Sequence, residues 1–121
     1  MTINLSETAS NAMLDALSEL MDGGSIELIS DERMLAVLKL SSPAAMIAAG
    51  GELEFNDIAE EDAALAQGNA TSARILGPDG SEIFSCDVGD ENSDAVIKLK
   101  GTTKIYQGQS VRLKSFRLVM P

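Results

Sequence analysis

The chain has 121 residues, 19 acidic against 9 basic, no histidine and one cysteine, for a formal net charge of −10. That composition excludes histidine catalysis, a cysteine-based zinc site and an internal disulfide, and the length suits one domain burying about 65% of its unfolded surface. With three Phe, one Tyr and no Trp, the core is expected to be aliphatic.

The N-terminal MTINLSETAS carries neither a basic segment nor an apolar run, and no stretch reaches the roughly 18 apolar residues of a membrane span. A signal peptide and membrane association are therefore not expected. Ser6 has the side chain of a helix cap, and Ala9, Met13, Leu14, Leu17, Leu20 and Met21 follow with helical spacing until Asp22-Gly23-Gly24. The pattern predicts an amphipathic helix over residues 6–22, with Leu17 at the centre of its apolar stripe. Glu7 suits the positive end of the helix dipole. Glu19 sits near the negative end, and this misplacement points to a partner.

From residue 24 to 121 the period changes to two. Ile26/Leu28, Ala36/Leu38/Leu40 with Lys39 outward, and Leu53/Phe55 with Glu52/Glu54 outward read as half-buried strands. Further strands are expected near 71–76, 82–88, 95–99, 102–106 and 110–120. The turn signals between them predict a mainly β fold, an antiparallel β-sandwich of about 7–8 strands behind the helix. Residues 56–69, NDIAEEDAALAQGN, read as a solvated loop between sheets, with a short helix as the alternative.

Pro78-Asp79-Gly80 forms a reverse turn. Pro78 fixes a negative φ, so a type I turn with Gly80 in the left-handed region and a bulge is expected, with Ile75 opposite Ile83 and with Phe84, Cys86 and Val88 sharing a face with Arg74 and Leu76. In the last strand Val111 and Leu113 differ in parity from Phe116, Leu118 and Met120. A bulge near Lys114-Ser115 would return both sets to one core; the alternative is a strand buried on both faces.

Few groups offer chemistry. Asp90, Asn92 and Asp94 start a calcium-loop pattern that fails at Ala95 and Gly101, which leaves a solvated acidic turn. Glu60, Glu61 and Asp62 are consecutive and do not converge, and Cys86 has no histidine to activate it. No catalytic, cofactor or metal residues are assigned, and an enzyme is not expected.

Charge is segregated along the chain. All 19 acids lie at or before Asp94 with Arg33, Lys39 and Arg74; the other six cations, Lys98, Lys100, Lys104, Arg112, Lys114 and Arg117, lie in residues 95–121 without an acid. Either the tail strands neutralise acidic strands of the same chain, or the surface carries two signs for assembly. Lys98 and Lys100 alternate on one face and Arg112 and Lys114 on another as basic stripes, and the helix offers Asp15 and Glu19. These six are the candidate protein–protein contacts. Direct nucleic-acid binding is not expected from so acidic a chain with one tyrosine.

The order of features resembles small structural proteins encoded in the virion modules of tailed bacteriophages. Asn11, Leu14 and Asp15 match an N-x-x-L-D helix, and Leu38 to Ala44 an L-x-L-S-x-P-A strand end. Gly68-Asn69-Ala70-Thr71-Ser72-Ala73-Arg74-Ile75 matches G-x-A-x-x-A-R-I, followed by Asp79-Gly80, Val88-Gly89, and Gly108, Val111, Ser115 and Phe116 for a closing G-x-x-V-x-x-x-S-F. The Y-T-G-x-x-P loop of that pattern is absent, and Ala73 replaces an aromatic residue.

The resemblance implies a non-enzymatic, homo-oligomeric subunit, made and assembled in the host bacterial cytoplasm and residing in the virion. It would decorate or stabilise the capsid, or sit at the head-to-tail junction, with other virion proteins as partners. The alternatives are a tail-associated protein and a free-standing β-sandwich module for a carbohydrate or protein ligand, for which Tyr106 is the candidate platform.

Overall fold

The computed structural model describes residues 6–30, 33–42, 45, 48–55 and 64–119, with Lys114, Ser115 and Val119 as backbone alone. Most of the expected 56–69 loop, and Met120, lie outside the described residues. Helix α1 runs Glu7–Met21, and the Ser6 hydroxyl accepts the Ala9 N–H at 3.1 Å. Nine strands follow among the described residues: β1 Ser25–Ser30, β2 Arg33–Lys39, β3 Glu52–Glu54, β4 Gly68–Asn69, β5 Ser72–Leu76, β6 Glu82–Gly89, β7 Ile97–Leu99, β8 Lys104–Ile105 and β9 Leu113–Val119.

The fold is mainly β behind one helix, as expected, but its layering differs from the expectation. Seven strands join in one sheet, ordered β2-β1-β5-β6-β7-β9-β3, and β4 and β8 form a separate ribbon. Two facing antiparallel sheets are not seen among the described residues. The sheet is mixed because β6 and β7 run parallel, pairing Val88 with Ile97 and Gly89 with Lys98. Parallel neighbours usually need a long crossover. Here local bonds turn the chain within residues 90–96: Asp90 O accepts from Ser93 N, and Asp87 Oδ1 accepts from Val96 N at 2.9 Å.

The core lies on one face of the sheet. Ile26, Leu28, Leu35, Leu38, Ala73, Ile75, Ile97, Leu99 and Phe116 are buried there with Met21 of the helix and Ile105 of the ribbon. A second cluster joins Leu14 to Ala45, Ala48 and Leu53, with Phe55 and Leu118 touching both. Phe55 and Phe116 stack with ring centroids 4.0 Å apart and planes 4° from parallel, which ties the two clusters together.

Two register details decide which faces are apolar. In β9, Lys98 pairs with Ser115 and Leu99 with Leu113, so Lys114 is the extra residue of a bulge. Of the two alternatives left by the parity change, this is the bulge and not the strand buried on both faces, and Val111 and Phe116 are both buried. In the 78–80 turn, Gly80 has φ +86 and its N–H bonds to Gly77 O.

The register beyond that turn departs from the expectation. Leu76 pairs with Glu82 but Ile75 with Phe84, so Ile83 is bulged out. Phe84 and Cys86 consequently share the Ile75/Ala73 face, and Ser85 and Asp87 lie opposite Arg74 and Ser72 on the other. The bulge moves one strand by one residue, which exchanges its faces and leaves only one of them apolar.

Candidate functional site

The helix is fastened by side chains that reach a hairpin 33 to 43 residues away in sequence. Ala49 and Glu52 exchange both backbone hydrogen bonds, and Gly50 and Gly51 have φ +63 and +72, the two positive values of a type I′ turn. The turn leaves its glycine amides without backbone partners. Glu7 Oε1 accepts from Gly50 N at 3.2 Å, Asn11 Oδ1 from Gly51 N at 2.9 Å, and Asp15 Oδ1 from Ala48 N at 2.7 Å. Acceptors at i, i+4 and i+8 line one side of a helix. Asp15, a candidate contact residue, is thus half-buried and committed to its own chain. With Leu14 buried, the N-x-x-L-D motif has a structural account.

This clamp sets the rotation of the helix and corrects the expected stripe. The buried positions are Ser10, Leu14, Ser18 and Met21, with Leu17 only half-buried. Met13 and Leu20 are 51% and 61% exposed. The two serines let the helix approach closely, and the three polar bonds turn it toward the hairpin, which leaves Met13 and Leu20 outside. Apolar residues cover so much of this helix that periodicity alone does not choose which of them face inward.

A second grouping forms on the outer face of β7 and β9. Ile97 and Leu99 point into the core, so Lys98 and Lys100 point outward, half-buried and exposed respectively. Lys100 N donates to Arg112 O at 3.0 Å, which brings exposed Arg112 beside them. Arg112, of the second expected stripe, therefore lies beside Lys100 where β7 ends and β9 begins. Lys114 occupies the bulge, and its side chain lies outside the described residues. Glu19 is exposed on the helix.

The tail's charges are partly neutralised within the chain, as one of the two expectations has it. Arg117 Nε lies 3.1 Å from Glu52 Oε1, across the β3–β9 pair. Arg74 lies 3.1 Å from Glu27, directly opposite it on β1. Among the described residues Lys98 and Lys100 form no ion pair.

The remaining candidates have local roles. Cys86 packs against the core, and its thiol is pushed up to about 12 by burial and then by the neighbouring Asp87 carboxylate. At neutral pH it is a protonated thiol, without the thiolate a nucleophile needs. Asp90 Oδ1 accepts from Asn92 N at 2.9 Å, so the start of the calcium-like pattern is an Asx turn. Ser81 donates its N–H and hydroxyl to Asp79 and holds that carboxyl below its ordinary range. The Tyr106 ring is half exposed, but Lys104 Nζ stands 5.3 Å from its centroid and occupies one face.

No helix among the described residues is long and apolar enough to cross a membrane. Comparison of the chain with protein-family models, with curated proteins and with solved structures finds no significant match.

Proposed function

We propose that this chain is a non-enzymatic structural subunit of a tailed-phage virion, docking through the outer face of β7 and β9 on an acidic surface of another virion protein, at the capsid surface or the head-to-tail junction. The observation that carries this reading is the grouping of Lys98 on β7 with Lys100 and Arg112, which join where β7 ends and β9 begins. Arg117 is matched by Glu52, whereas Lys98 and Lys100 have no ion-pair partner among the described residues.

Exposed ion pairs contribute only about 0–1 kcal/mol to folding, so the fold has little need of these lysines. Complementary patches across an interface govern encounter and partner choice instead. The net charge of −10 disfavours nucleic acid as the partner, since the chain as a whole repels phosphate. The sequence resemblance supplies the virion setting.

The test is quantitative mass spectrometry of purified particles from cells in which the gene is expressed during phage growth. A fixed copy number per particle is the expected result, and absence of the chain from particles overturns the reading. In the double variant Lys98→Glu/Lys100→Glu, circular dichroism should remain native while copy number falls sharply. Native incorporation of that variant would remove the β7–β9 face from the proposal.

A further inference from the structure

We infer that the outer edge of β6, from Phe84 to Asp87, is a strand-addition site for an extended segment of a partner protein in which Lys or Arg alternates with apolar residues. β6 pairs with β5 from Glu82 to Asp87, yet on its other side only Val88 and Gly89 pair, with Ile97 and Lys98 of β7. Along Glu82–Asp87 that second side has no strand partner among the described residues.

Parity tells which backbone groups are left over. Val88 N donates to Thr71 O, so the ladder to β5 takes the groups of Phe84, Cys86 and Val88. The N–H and C=O of Ser85 and the N–H of Asp87 point the other way, and among the described residues no turn or loop bond reaches them. Such an edge is a template for main-chain pairing with another chain. The bulge at Ile83 ends its regular part and confines the site to the stretch from Phe84 to Asp87.

The side chains specify the occupant, because an added strand sets alternate residues on the two faces of the sheet. On the outer face Glu82 and Asp87 are exposed acids on either side of exposed Ser85, and they select cations at the facing positions. Arg74, opposite Ser85 on β5, is held by Glu27. On the core face Phe84 and Cys86 are half-buried and pack against the core, so apolar side chains of the added strand extend it. β7 is itself such a segment: Ile97 and Leu99 are buried, and Lys98 turns outward beside Gly89 of β6. The chain already pairs the end of this edge with an alternating apolar and basic strand, and the partner continues that line toward Phe84.

The same acids select against a second copy. Antiparallel pairing of β6 with itself about Ser85 brings Asp87 of one copy near Glu82 of the other, in a chain of net charge −10, and like charges across a strand pair are unfavourable. The inference does not rest on the virion reading, because the purified chain suffices to test it.

The probe is the peptide acetyl-Val-Lys-Val-Lys-Val-Lys-amide, with its glutamate counterpart, acetyl-Val-Glu-Val-Glu-Val-Glu-amide, as control. In amide hydrogen exchange followed by NMR, Ser85 should exchange roughly tenfold or more faster than Cys86 in the chain alone. Adding the lysine peptide at about 1 mM should slow Ser85 severalfold, and the glutamate peptide should leave it unchanged. In variants, the amide shifts of Phe84 and Cys86 report binding. Ser85→Pro removes only an outward N–H, which an edge strand tolerates, so the melting curve should persist while peptide binding is lost. Glu82→Gln with Asp87→Asn keeps an acceptor for the Val96 N–H and should weaken binding of the lysine peptide severalfold. A Ser85 amide as protected as that of Cys86 in the chain alone, or protection that rises with the concentration of the chain by itself, would overturn the inference. So would equal effects of the two peptides, no effect of either, peptide binding by folded Ser85→Pro, or undiminished binding by the uncharged double variant.

Discussion

At Cys86 the surroundings decide the chemistry of a residue whose neighbours in sequence say little about it. Its thiol is held at about 12 in the fold against an ordinary 9.0. The folded state therefore keeps a proton that the unfolded state loses above about pH 9. Stability from this group is complete below that pH and declines as pH rises toward 12. Denaturant midpoints should fall more steeply over that range in the native chain than in Cys86→Ala, and equal slopes would contradict the assignment. Asp15 makes a second residue-scale case. Asp15→Ala strips the acceptor from the Ala48 N–H in a buried residue, a loss of about 1–3 kcal/mol. Asp15→Asn, which keeps an acceptor oxygen, should recover most of it, as chemical denaturation would show.

Among the elements, the helix shows how little periodicity fixes about orientation. Ser6, the helical spacing and the glycines after Asp22 define its length, but its rotation follows from amide partners supplied by the 48–51 turn. Leu14→Ala should cost about 2–5 kcal/mol because the side chain fills a closed cluster. Leu20→Ala, at a position 61% exposed, should change monomer stability by no more than about 0.5 kcal/mol. Equal losses in thermal melts would mean the helix is rotated differently.

The start of β1 is equally constrained. A methyl group at Gly24 would fall on the Leu76 carbonyl oxygen, so Gly24→Ala should destabilise by about 1–3 kcal/mol or more. Strand β9 behaves differently, because its change of parity already points to a bulge or a doubly buried strand, and the register places Lys114 in a bulge.

For the whole molecule, segregated charge along the chain becomes partly segregated charge in space. Folding places Arg117 against Glu52 and gathers Lys98 of β7 with Lys100 and Arg112, the residues just after β7 and just before β9. The two ion pairs Arg74–Glu27 and Arg117–Glu52 are partly exposed and contribute about 0–1 kcal/mol each. Raising salt from about 0.1 to 0.5 M should therefore alter folding stability by no more than about 1 kcal/mol. Docking through the β7–β9 face should weaken markedly over the same range, since screening acts over about 10 Å at 0.1 M. Parallel denaturation and particle-binding titrations separate the two, and a fold that loses stability as steeply as binding would assign these charges to folding.

What the sequence by itself determined is local: the capped helix, the alternating strands, the left-handed Gly80, the change of parity near Lys114 and the division of charge. Each follows from dihedral preference, hydrophobic period or parity over a few neighbouring residues. Only the tertiary structure decided the single mixed sheet, the exchange of faces at Ile83, the outward Met13 and Leu20, and the retention of Asp15 within the chain. Those features depend on partners distant in sequence, such as an amide 33 residues from its acceptor. A one-residue bulge or a modest helix rotation leaves the local pattern intact while changing what each side chain meets, and the packing of the whole chain selects between such equivalents.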